Sequence, residues 1–136
     1  MIWFLMALAG GLGAYGRYRT ELALKNAIAD RALIPVKPGA GVLRHTAPAW
    51  PIILINIVGS FVAGLLVARV SSEVWLIAGT GLLGGWTTFS TAMVDVFQAF
   101  TAQDNRARGV QDAVLIAVIG LVTSVAAALV GLTLGA

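Results

Sequence analysis

Between residues 81 and 93 the chain reads GLLGGWTTFSTAM, and this stretch gathers the side chains best suited to handling an ion. Gly84 and Gly85 each weaken a helix by about 1 kcal/mol relative to Ala, and the hydroxyls of Thr87 and Thr88 compete for backbone partners. Together they predict a break in any helix that runs through them. Carbonyls bared by a break make a cation site, whereas hydroxyls and the positive edge of the Phe89 ring suit an anion. Ser90 and Thr91 extend the run of hydroxyls. A second polar mark lies in INIVGSFVAGLL, where Asn56 and Ser60 share one helical face. An amide within an apolar helix is costly unless partnered, so it marks a helix contact or a wet pathway. Thr123 and Ser124 repeat the theme weakly, because a hydroxyl can bond back to its own helix.

The elements that position these residues follow from hydropathy. The chain is 59% hydrophobic and only 11% charged, with a mean hydropathy of +0.91, far more apolar than a soluble domain. A crossing takes about 20 apolar residues as a helix. Charge-free windows predict an all-α integral membrane protein, a single four-helix membrane domain over 1–136, with spans at about 2–24, 50–68, 74–94 and 113–135. The third is expected to be broken near its middle. In the first, Arg17, Arg19 and Glu21 follow an uncharged start, which suits a span with snorkelling arginines at its end. A signal peptide needs a basic region ahead of its apolar core, and none precedes Ile2. The loop 25–49, with Pro35, Pro38, Gly39, Gly41 and Pro48, is too short to bury a core of its own.

Several function classes drop out. There is no Cys and a lone His45, so neither a disulfide framework nor a thiol or histidine metal cluster can be assembled. Residues 11–16, GLGAYG, match the dinucleotide fingerprint in letters only, since that motif needs a strand leading into the glycines. Close helix packing is the expected use. The net charge of +3 sits at the ends of spans, so no nucleic-acid partner is expected. Arg17, Arg19, Lys25, Arg31, Lys37 and Arg44 with Arg106 and Arg108 face a single Arg69 in the second loop, eight against one. The positive-inside rule then places both termini outside a bacterial-type inner (plasma) membrane that the chain crosses several times.

The segments GGLGAYGRY, NIVGSFVAG and GLLGGWTTFST resemble the Fluc (CrcB-like) fluoride channels, and the four-span layout extends the resemblance over the whole chain. That family implies an antiparallel dimer with two narrow fluoride pores and a structural sodium ion at its centre. By the resemblance, Gly84 and Thr87 offer backbone carbonyls to sodium, and Phe89 contacts fluoride through its ring edge. Asn56 lines the permeation path, Thr88, Ser90 and Thr91 are polar groups beside it, and Arg17 sits in an anion-attracting vestibule. The expected function is passive export of cytoplasmic fluoride, with no catalysis. Fluoride is small and tightly hydrated, so neutral amide, hydroxyl and ring-edge donors suit its passage better than a buried Lys or Arg, which would trap it.

Two features depart from the family pattern. The motif ends TTFSTA, with Ala92 where a second pore phenylalanine is expected, and Ile119 and Gly120 stand where many members carry a tyrosine. An antiparallel homodimer also requires a near-zero charge bias, which this chain lacks. A paralogous four-span partner of opposite bias is therefore favoured over a second copy. The alternatives are a non-transporting or pore-degenerate partner subunit and a small proton-coupled multidrug exporter. The exporter needs a carboxylate within the membrane, and Glu21, Glu73, Asp95 and Asp112 all lie at span ends.

Overall fold

A computed structural model describes residues 1–29, 49–101 and 105–136, all of whose regular elements are helical. The first helix, α1 (Ile2–Ala29), continues past the expected end at residue 24, through a side-chain ladder in which Glu21 accepts from Arg17 at 3.4 Å and Lys25 at 2.6 Å. Such i,i+4 pairs sustain a helix beyond its apolar part. The expected loop 25–49 therefore begins as helix, and its residues 30–48, with Arg31, Lys37, Arg44 and His45, lie outside the described residues.

The second helix, α2 (Trp50–Val67), has a proline in its first turn, where a missing N–H costs nothing. The third crossing is composite. A short α3 (Ser72–Trp75), capped by the Ser71 side chain, widens into a π-helical segment (Leu76–Leu83) and closes with the turn α4 (Gly84–Trp86). After a break at Thr87 and Thr88 the chain resumes as α5 (Phe89–Thr101). The last helix, α6 (Arg106–Gly135), starts well before residue 113 because Asn105 caps it, accepting from the N–H groups of Ala107 and Arg108 at 2.9 and 3.4 Å.

By length and apolarity alone, α2 and α6 each qualify as crossings, with window hydropathies of 2.2 and 2.7. Contact register orients the rest. Met6 lies beside Gly81 and Gly10 beside Gly85, so α1 runs the same way as the third crossing. Ile53 lies beside Gly120 and Leu65 beside Gly135, so α2 and α6 run together. Asn56 bonds Thr88 while Ala49 packs in one buried cluster with Ala99, which sets the two pairs in opposite senses.

The molecule carries its apolar surface outside. Trp3, Phe4, Leu12, Leu121 and Leu129 are among many exposed large hydrophobics, and the buried cluster of Ala49, Ile53, Ala99 and Ile116 is small. Lipid tails are as apolar as leucine, so such helices associate by close packing and hydrogen bonds rather than by hydrophobic burial. Glycines allow that approach. A Cβ on Gly13 would overlap the Leu82 carbonyl oxygen and one on Gly85 the Gly10 carbonyl oxygen, while Gly64 and Gly131 play the same part between α2 and α6. At the far end of α2, the Arg69 guanidinium donates to the carbonyls of Gly135, at 3.1 Å, and Leu134. Those carbonyls belong to the last turn of α6, where no helical partner exists.

The GLGAYG glycines thus serve helix packing, and they do so unequally. Gly13→Ala forces the third crossing away from α1 and is expected to lower stability by about 1–3 kcal/mol. A methyl group on Gly11 would meet nothing within 4 Å, so Gly11→Ala is expected to be neutral. Thermal unfolding of both variants in detergent checks the contrast, and equal midpoints would overturn it.

Candidate ion pathway

The break in the third crossing is held open by one side chain from another helix. At Thr87 the backbone turns extended, with ψ of 159°. The Thr88 N–H, which a continuous helix would direct to the Gly84 carbonyl, instead donates to Asn56 Oδ1 at 2.9 Å. Asn56 Nδ2 returns the bond to the Thr88 carbonyl, also at 2.9 Å. The amide therefore satisfies both polar groups of one unwound residue at membrane depth, where unmet groups cost several kcal/mol each. Thr87 satisfies itself differently, its hydroxyl donating to the Leu83 carbonyl at 2.9 Å.

Thr88 also begins the next helix. Its hydroxyl oxygen accepts from the Thr91 N–H at 3.2 Å, an N-cap for α5, and lies 3.2 Å from the hydroxyls of both Ser90 and Thr91. The unwinding thus sits at the two threonines rather than at the glycines. Gly84 keeps helical angles, φ −62° and ψ −32°, and is exposed on the surface of the single chain.

A pocket of about 260 Å³ opens beside this break, between α2, α5 and α6. On α2 it runs from Ala49 past Ile53 and Asn56 to Ser60, about 16 Å at 1.5 Å per residue. Gly120 and Ser124 line it from α6, and Thr88, Ala92 and Asp95 from the third crossing. It leads from one end of the bundle to the middle of the spans. Its polar groups are an amide, four hydroxyls and a carboxylate, with no Lys or Arg in the wall. Asn56 spends one amide hydrogen on Thr88, which leaves the other to offer a ligand.

The sequence-derived residues are divided by this geometry. Asn56, Thr87, Thr88 and Phe89 line the pocket, Phe89 at its rim with 76% of its surface exposed. Ser90 and Thr91 do not line it, but reach Thr88 through their hydroxyls. Arg17 lies on α1, away from the pocket, and pairs with Glu21. Among the described residues no three His, Cys, Asp or Glu side chains cluster to hold a metal, so carbonyl and hydroxyl oxygens are the available ligands for a cation.

Sequence reasoning set one pocket residue aside. Asp95 was expected at a span end, outside any site, yet it lines the pocket, and its Oδ2 is buried without a hydrogen-bond partner. The reason is that α5 runs on to Thr101, so residue 95 lies mid-helix. Its register with Thr88 and Ala92, at i+7 and i+3, was the available signal. Ionised, this carboxylate only accepts and repels an anion; protonated, it can donate to one. Ser124 also proves a wall residue, whereas Thr123 bonds back to the Ile119 carbonyl at 2.6 Å.

An all-helical chain with two helices apolar enough to cross a bilayer, packed around an amide-braced helix break that opens on a polar cleft, defines a helical membrane protein. Comparison with known proteins gives the family. Residues 4–135 match the family described as CrcB-like protein, Camphor Resistance (CrcB). The chain is 35% identical to the fluoride-specific ion channel FluC 1 of Symbiobacterium thermophilum, covering 99% of this chain and 98% of that one. It is 38% identical to the fluoride-specific ion channel FluC of Chelativorans sp., covering 96% and 92%. A third relative, the fluoride-specific ion channel FluC 2 of Cutibacterium acnes, is 33% identical over 99% and 96%. This chain belongs to the CrcB-like family.

Asn56→Ala removes both partners of Thr88 and is expected to destabilise the protein by about 1–3 kcal/mol for each group left buried and unmet. Thermal unfolding in detergent measures the loss. An unchanged midpoint would mean that the amide does not hold the break.

Proposed function

We propose that this chain is a subunit of a passive, fluoride-selective channel that lets cytoplasmic fluoride leave the cell and so relieves fluoride toxicity. One observation carries the reading. A membrane helix is broken and braced by Asn56, and the break opens on a cleft walled by neutral donors, in a chain whose full-length relatives are named as fluoride-specific channels. A proton-coupled exporter of organic cations gains some support from the Asp95 carboxylate in the cleft, but family membership favours the channel. The protein is not an enzyme.

Permeation by this account is an exchange of hydration for weak donors. Fluoride gives up water to the free Asn56 hydrogen, the Ser124 hydroxyl and the ring edge of Phe89, while the Thr88 hydroxyl spends its hydrogen on Thr91. None carries a full positive charge, so none holds the ion for long. Arg17 raises the local fluoride concentration from outside the cleft, through long-range attraction rather than contact.

The assembly is an antiparallel dimer. In support, Phe89 and Gly84 are exposed on the single chain, where a second subunit can cover them. A structural sodium ion fits the same place. The Gly84 carbonyl loses its helical partner to Asn56, and Thr87 carries the extended backbone beside it, so both can turn oxygens to a cation. The favoured partner is a paralogous four-span chain. The eight-to-one distribution of Lys and Arg supports one fixed orientation, with both termini outside. Ala92 in the cleft wall supports a pore that is one aromatic short in this subunit. A partner inserted the other way up could supply that ring.

Phe89→Ala tests the pore reading. The residue is too exposed in the single chain to hold its fold together, so the variant is expected to fold normally and to lose most fluoride efflux from proteoliposomes. Efflux equal to wild type would assign Phe89 to lipid or to packing.

A further inference from the structure

Next to the ion cleft, past Met93 and Val96 of α5, lies a second hollow, of about 390 Å³, between α5 and the start of α6. Phe97 and Phe100 form one wall and Val110 and Val114 the other, with Met93 and Val96 as the partition from the ion cleft. The wall is almost wholly apolar, and Phe97, Val110 and Val114 remain exposed. Met93 to Phe100 spans about 10 Å of helix at 1.5 Å per residue. The hollow is therefore a short groove parallel to the helices.

What covers it is indicated by the next turn of α6. Arg106 stands four residues before Val110 and eight before Val114, so it continues the same helical face one turn beyond the groove, towards water. Arg106 is exposed, and among the described residues both ion pairs belong to Glu21 on α1. An apolar groove that ends under an exposed guanidinium matches an amphiphile with an anionic head. A guanidinium also suits phosphate better than an ammonium does, because its fork of donors meets two oxygens at once.

We propose that the α5–α6 groove seats one acyl chain of an anionic phospholipid whose phosphate is held by Arg106. The binding is independent of fluoride permeation, since Met93 and Val96 separate the groove from the ion cleft. The physical basis is additive: apolar burial of the chain and attraction of the head to a basic group at the membrane surface. A zwitterionic lipid gains the first and little of the second.

Native mass spectrometry of the purified assembly tests this, with phosphatidylglycerol and phosphatidylcholine of identical acyl chains supplied in equal amounts. Wild type is expected to retain the anionic lipid in preference by about fivefold, the factor typical of one basic residue near the surface. Arg106→Gln is expected to bring retention to parity, and Arg106→Lys to keep part of the preference. Val110→Trp fills the groove and is expected to reduce retention of both lipids. Parity in wild type, or an undiminished preference in Arg106→Gln, would overturn the proposal. So would a Val110→Trp variant that keeps its lipid but falls apart into single chains, which would assign the groove to a subunit interface.

Discussion

The reciprocal pair of hydrogen bonds between the Asn56 amide and the backbone of Thr88 is the constraint on which the rest of the structure depends. A helix cannot be interrupted in hydrocarbon unless the freed groups find partners, and Asn56 meets both of them from a neighbouring helix. That solution fixes the height of α2 against the third crossing to within a hydrogen bond. It also frees the Gly84 carbonyl, starts α5 at a hydroxyl cap and places Phe89 on the rim of the cleft. The arrangement of groups around the break is a consequence of one brace.

Such a brace needs helices that cannot slide, and the packing supplies this. Between α1 and the third crossing, and between α2 and α6, glycines bring backbone against backbone so closely that a methyl group would collide with a carbonyl. Gly59 does the same for the break, since a Cβ there would overlap the Thr87 methyl. Arg69 then ties the end of α2 to the last carbonyls of α6. With little hydrophobic drive between helices in lipid, steric fit and a few directional bonds carry the specificity. The cleft remains open because the small residues at its wall, Ala92, Gly120 and Ser124, do not fill it.

Much of this was legible in the sequence, and the limits have physical causes. The apolar helices α2 and α6 announced themselves by hydropathy, and GGWTTFST announced a break. Within that run it falls at the two threonines rather than at the glycines, because Gly85 is used for contact with α1, and packing of that kind offsets the helical cost of glycine. Helix ends at Ala29 and Arg106 were missed for one reason: hydropathy reports the apolar part of a helix, while ion pairs and a cap carry it further. Asp95 was read as a boundary charge for the same reason. Arg69 was counted only as a topological charge, although its guanidinium caps a helix that lies 65 residues further on in sequence. The π-helical widening at Leu76–Leu83 had no sequence signal that we can identify.

The central claim is that the braced break lines a path for fluoride. The most direct measurement is anion efflux from proteoliposomes with no proton gradient, recorded with fluoride and with chloride electrodes, for the chain alone and with a paralogous subunit. Rapid fluoride efflux with chloride retained, in at least one of the two preparations, is the expected result. Equal loss of both anions, or no fluoride efflux from either preparation when both subunits are folded in the membrane, would contradict it.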